Sequence, residues 1–191
     1  MDDSIALLKA IKNMDAVAIT KVFDLYAPAI YKYAYYHCGD AMTADQIVGD
    51  VFEKLMGQLS EGRGPSSNLR YYLFEMAYHA MVDGNRHSRL LASVPAVEAS
   101  IPVTSSTDTI VEEQNLLDSV WRVIRRELTE DQRQVIILRF LEDFSLKETA
   151  LIMGKKVGNI KVIQNRAIGA MRRVLDDQAL EHAFRKHDTL V

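Results

Sequence analysis

The stretch SLKETALIMGKKVGNIKVIQNRAIGAMRRVL, residues 145–175, decides the fold of the second half of the chain. Ser145 followed by Glu148 is a capping-box pattern, which opens a helix because each side chain satisfies the other residue's free backbone N–H. Leu146, Ala150 and Met153 then face inward, Gly154 begins a turn, and a longer helix runs from about Gly158. A short helix, a glycine turn and a second helix make a helix-turn-helix. On the second helix Val157, Ile160, Ile163 or Gln164, Ala167, Met171 and Val174 share one face. Asn159, Lys161, Val162, Asn165, Arg166 and Arg172 point the other way. Arginine forks to guanine and asparagine to adenine in the major groove, while Lys155, Lys156, Arg172 and Arg173 suit phosphates.

The charge of the whole chain hides this. Its 23 Lys and Arg against 26 Asp and Glu give −3. Residues 129–175 nevertheless carry 9 basic and 5 acidic side chains, whereas 1–90 carry 9 and 11. A positive block inside an acidic chain is the footprint of a polyanion contact, because Lys and Arg on phosphates release condensed counterions. A solvated helix face can carry the same charges; spacing, turn and sign together favour DNA.

Outward from this stretch the pattern stays helical, with no strand alternation, and the expected fold is all-α. Residues 16–38 place Ile19, Val22, Phe23, Tyr26, Ile30, Tyr33 and Ala34 at three- and four-residue spacings. Thr43 with Gln46 marks a helix whose stripe is Ile47, Val48, Val51, Phe52 and Leu55. SEGRGPSSN, residues 60–68, is a loop by composition, and the helical period resumes after it. Leu116, Leu117, Val120, Trp121 and Ile124 define another helix, and Thr129 with Gln132 caps the apolar run VIILRFL. Residues 91–109 have two prolines, many Ser and Thr and no Lys or Arg, which is linker chemistry. The expected organisation is two small helical domains, 1–90 and 112–176, joined by a flexible linker, 91–111, with a tail at 177–191.

Several function classes are disfavoured. The apolar runs are shorter than a membrane span, and the acidic start MDDSIALLKAIKNMD is unlike a secretory signal, so no membrane insertion and a cytoplasmic location are expected. Cys38, the single cysteine, is expected to be a buried structural thiol. His37, His79, His87, His182 and His187 have no metal-ligand spacing, and GRG at 62–64 lacks the rest of a phosphate loop. No metal, no cofactor and no enzymatic activity are expected.

Residues 128–175, LTEDQRQVIILRFLEDFSLKETALIMGKKVGNIKVIQNRAIGAMRRVL, resemble the fourth conserved region of bacterial sigma-70 family factors of the extracytoplasmic-function (ECF) group. VFDLYAPAIYKYAYYHCGD, TADQIVGDVFEKL and NLRYYLFEMAYHAMVDGNRHSR resemble, in order, parts of the second region. The resemblance implies a promoter-specificity subunit. Its partners would be promoter DNA, the RNA polymerase core at the clamp of the largest subunit, and an anti-sigma factor.

The resemblance also carries residue roles. Lys161, Val162, Asn165 and Arg166 match the readers of the upstream promoter element. Asp45, Ile47, Val48, Asp50, Val51 and Phe52 match the helix that binds core polymerase. Arg63, Ser66, Asn68, Tyr71, His79, Asp83 and Arg86 are candidates for the melted downstream element. An extruded base needs hydrogen-bond partners and a stacking surface. Of the neighbours Tyr71 and Tyr72, one is expected in the core and only the other able to stack, with a purely structural role for both as the alternative. The chain departs from the family pattern at Gln46, Gly49, Tyr78 and His79. Lys155 and Lys156 stand where an apolar residue and a capping Ser or Thr are usual. Two other readings stay open: a sigma mimic that occupies an anti-sigma factor, and a helix-turn-helix regulator that never meets polymerase.

Overall fold

The computed structural model describes residues 2–91, 120–122 and 124–175. The expected linker beyond Leu91, the tail, Leu116, Leu117, His182 and His187 lie outside them. Among the described residues every regular element is helical, and no helix is long and apolar enough to cross a membrane. The backbone divides into two units, Met1–Tyr35 with Met42–Val97, and Tyr36–Ala41 with Glu98–Val191.

The first unit is built from α1 (Asp2–Lys12), α2 (Ala16–Cys38, whose last residues belong to the other unit), α3 (Ala41–Ser60) and α4 (Leu69–Leu91). Asp15 starts α2: its Oδ1 accepts a 2.8 Å hydrogen bond from the Ala18 N–H, one of the donors a helix start leaves unpaired. Ile11, Ile30, Tyr33, Leu55, Leu73 and Phe74 are fully buried, with the Tyr33 and Phe74 rings 5.3 Å apart. Each such side chain contributes about 1.5–3 kcal/mol relative to an exposed one. Two expectations need correcting. Phe23 is 46% exposed, because Val22, Ala27 and Ile30 carry the buried stripe of α2. The third helix starts at Ala41, two residues ahead of Thr43.

The second unit contains α5 (helical at 120–122 and 124–127), α6 (Glu130–Ile136), a π-helical turn (Ile137–Leu141), α7 (Leu146–Ile152) and α8 (Val157–Met171). Thr129 makes the anticipated capping box: its Oγ1 accepts from the Gln132 N–H at 3.4 Å, and its own N–H donates to Gln132 Oε1 at 2.9 Å. The π turn follows from the apolar run. Val135, Ile136, Ile137 and Leu138 are all buried, and the wider turn, with Glu142 N–H bonded to Ile137 O at 3.0 Å, accommodates four successive apolar side chains. Trp121, Ile124, Phe144, Ile152 and Ile160 complete this core.

The short segment at 36–41 is part of that unit. His37 is buried, with Nε2 3.4 Å from Gln134 Nε2, and burial together with the Arg133 charge pushes its pKa down to about 3. Cys38 is partly buried, and burial pushes its thiol up to about 11. A thiol held protonated in this way is a poor nucleophile, in keeping with a structural role.

Candidate nucleic-acid interface

The helix-turn-helix is specified residue by residue. Ser145 Oγ accepts from the Glu148 N–H at 3.2 Å, and Glu148 Oε2 accepts from the Ser145 N–H at 2.8 Å, which fixes the start of α7. Met153 ends it, Gly154 takes a left-handed φ of +61°, and the Gly154 and Lys155 N–H groups return to Leu151 O (3.1 Å) and Ala150 O (2.8 Å). This pair of bonds is a Schellman motif. A Cβ on Gly154 would meet no neighbour within 4 Å, so backbone conformation alone requires glycine there. Lys156 stands at the N-cap of α8 and makes no side-chain cap, as the replacement of Ser or Thr by Lys foretells.

Ile160, Ala167, Ala170 and Met171 bury one face of α8, which packs against α6 and α7. Asn159, Lys161, Val162, Asn165, Arg166, Arg172 and Arg173 are exposed along the rest, with Lys156 at its start. Lys155 is half-buried and paired with Asp131 at 3.1 Å, so its charge is engaged within the fold. The expectation that Val157 and Val174 join the buried face is not met; both lie at the surface, 36% and 47% exposed.

Sequence reasoning missed Arg139. It comes from the π turn, donates from Nε to Gln164 Oε1 at 3.2 Å, and donates from Nη1 to the Phe144 carbonyl. One guanidinium thus ties together the π turn, the segment before α7 and the middle of α8. A lone arginine inside VIILRFL was the available signal, since a charge in a buried run must find hydrogen-bond partners.

In the first unit the loop between α3 and α4 turns on Gly62 (φ +71°) and Gly64 (φ +143°), where a Cβ at Gly64 would lie 2.9 Å from Leu59. Arg63 and Ser66 are exposed, Arg63 paired with Glu61. Asn68 caps α4, its Oδ1 accepting from the Tyr71 N–H at 3.0 Å. Neither Tyr71 nor Tyr72 is core: both are half-buried, Tyr71 OH donating to Glu75 at 3.0 Å and Tyr72 OH to Gln58. Burial and the Glu75 bond raise the Tyr71 pKa to about 12. His79 and Asp83 are exposed; the side chains of Arg86 and His87 lie outside the described residues. Asn68 and Asp83 are roughly 22 Å apart along the axis at 1.5 Å per residue. These candidates therefore form a stripe along α4 rather than one pocket.

On α3 Ile47, Val51 and Phe52 are buried, the Phe52 ring 4.8 Å from that of Phe23 and tilted 57° to it. Asp45 and Val48 line a groove of about 380 Å³ with Phe23, Asp24, Ala27, Pro28 and Tyr31 of α2. Asp50 lines another, of about 430 Å³, with Lys54, Met76, Ala80 and Asp83.

A helix-turn-helix with a cationic outer face, in a chain that carries a separate helical unit with surface grooves, defines a two-module DNA-binding protein. Residues 22–90 match the family model for Sigma-70 region 2 and residues 126–173 that for Sigma-70 region 4, together more than half of the chain. The chain is 29% identical to the ECF RNA polymerase sigma factor BldN of Streptomyces coelicolor over 86% of its own length and 63% of BldN's. It is 25% identical to the ECF RNA polymerase sigma factor SigX of Bacillus subtilis over 81% of this chain and 82% of SigX. The fold is shared with the sigma factor RpoE of Bartonella quintana, solved in complex with the anti-sigma factor NepR. The TM-score is 0.66 at 22% identity, covering 83% of this chain and 96% of that one. The chain belongs to the sigma-70 family, in its ECF group.

Proposed function

We propose that this chain binds core RNA polymerase, directs it to a defined set of promoters, and is held in reserve by an anti-sigma factor. The observation that carries the reading is the outer face of α8, where Asn159, Lys161, Asn165 and Arg166 stand exposed behind a fully specified turn. In this reading residues 112–176 form the region 4-like module that grips the upstream element. Lys156, Arg172 and Arg173 contact phosphates, and the asparagines and Arg166 meet base edges. Residues 1–90 form the region 2-like module. Asp45, Val48 and Asp50 offer acidic and apolar surface to the polymerase clamp, and Arg63, Ser66, Tyr71, His79 and Asp83 track the melted strand. Residues 91–111 link the modules, and 177–191 form a tail. The catalysis is the polymerase's, and the place of action is the cytoplasm.

The test is capture of core polymerase by the tagged chain, followed by run-off transcription from a promoter found by transcript profiling after overexpression. Capture with a promoter-dependent transcript is the expected result. Capture without any transcript would mark a sigma mimic instead, and failure of capture would leave a stand-alone regulator.

A further inference from the structure

We propose that Val162 reads a thymine methyl group in the major groove, so that the upstream element carries a thymine under the centre of α8. The inference rests on the reading of α8 as the promoter-recognition helix and deepens it. Val162 is 49% exposed. Asn159, Asn165 and Arg166, three and four positions away, and the adjacent Lys161 are exposed and polar, while Gly158 and the half-buried Ile163 complete the surroundings, so an exposed apolar side chain stands among polar ones.

Valine neither donates nor accepts a hydrogen bond, so at this position it can read no purine edge and hold no phosphate. The C5 methyl of thymine is the one apolar group that the four bases present in the major groove. Bringing the two together removes apolar surface of both from water. A cytosine in the same place offers only a C5 hydrogen, so the methyl contact and the apolar surface it buries are lost. Asn159 and Asn165, about 5–6 Å away at the Cβ atoms, present the amides that suit adenine N6 and N7. That distance spans one or two base-pair steps of about 3.4 Å. The element should therefore hold a thymine within one or two base pairs of an adenine.

The full chain assembled with core RNA polymerase is used to select duplexes from a random-sequence pool. Each thymine of the selected duplex is then replaced in turn by deoxyuridine, which lacks only the C5 methyl. One position should emerge at which the replacement weakens wild-type binding about three- to fivefold, the worth of one buried methyl. Val162→Ala, a change at an exposed helical site, should lose the difference at that position alone. Selective binding with no deoxyuridine-sensitive position, or with a sensitivity that Val162→Ala retains, overturns the thymine reading and leaves α8 as the recognition helix. Failure to select any sequence overturns the reading of α8, and this inference with it.

Discussion

Arg139 donates from Nε to Gln164 Oε1 across 3.2 Å, which joins the π turn to the middle of α8. The same guanidinium also holds the Phe144 carbonyl. The rotation of α8 about its axis, and with it the direction of Asn165 and Arg166, is set by this link as well as by the buried face.

Loss of the link should cost stability in proportion to the partners left unpaired. Arg139→Met leaves both Gln164 and the Phe144 carbonyl without their charged donor, for about 1.5–3 kcal/mol per bond to a charged group. Gln164→Leu loses one bond and replaces a half-buried amide with an apolar group, so it should cost less. Urea unfolding of wild type and the two variants measures the order; stabilities equal to wild type in both would show that the link has no structural weight.

Two glycines of the same module should respond to alanine with opposite signs. Gly154 holds φ +61°, where an L side chain costs about 1–2 kcal/mol. Gly169 lies inside α8, and a Cβ added there would meet no neighbour within 4 Å, so Gly169→Ala should stabilise by about 0.5–1 kcal/mol. Urea midpoints of the two variants give the comparison directly.

Stability should fall with acid because of His37. Its folded pKa of about 3 lies below its ordinary value of 6.5, so the unfolded chain takes the proton first. The stabilising contribution is present in full above pH 6.5 and is lost as pH falls toward 3. Between pH 7 and 5 the loss is about 2 kcal/mol. Urea titrations at both pH values should show it, and His37→Gln should remove that part of the pH dependence.

Much of this is readable from the residues. The capping boxes at Thr129 and Ser145, the turn at Gly154 and the missing cap at Lys156 are local chemistry, complete within four or five residues. What escapes depends on neighbours distant in sequence. Helical periodicity gives a face but not the extent of its cover, so Phe23, Val157 and Val174 share an apolar period and yet lie at the surface. It treats 3.6 residues per turn as uniform, which hides the π turn at 137–141 and the reach of Arg139 to Gln164. Likewise the resemblance matches Ile47, Val51 and Phe52 to a docking helix, where burial leaves Asp45, Val48 and Asp50 to face outward.

The central claim is that the outer face of α8 grips DNA, and the salt dependence of promoter binding tests it most directly. Binding of the polymerase-bound chain to its selected duplex is measured across salt concentrations for wild type, Lys161→Ala and Arg166→Ala. Removing a side chain that contacts a phosphate should make the negative slope of log K against log salt shallower by about 0.9 and weaken binding. An Arg166 that reads a base should instead lose about 1–3 kcal/mol and relax specificity at one position. Affinity, slope and specificity unchanged in both variants would contradict the claim.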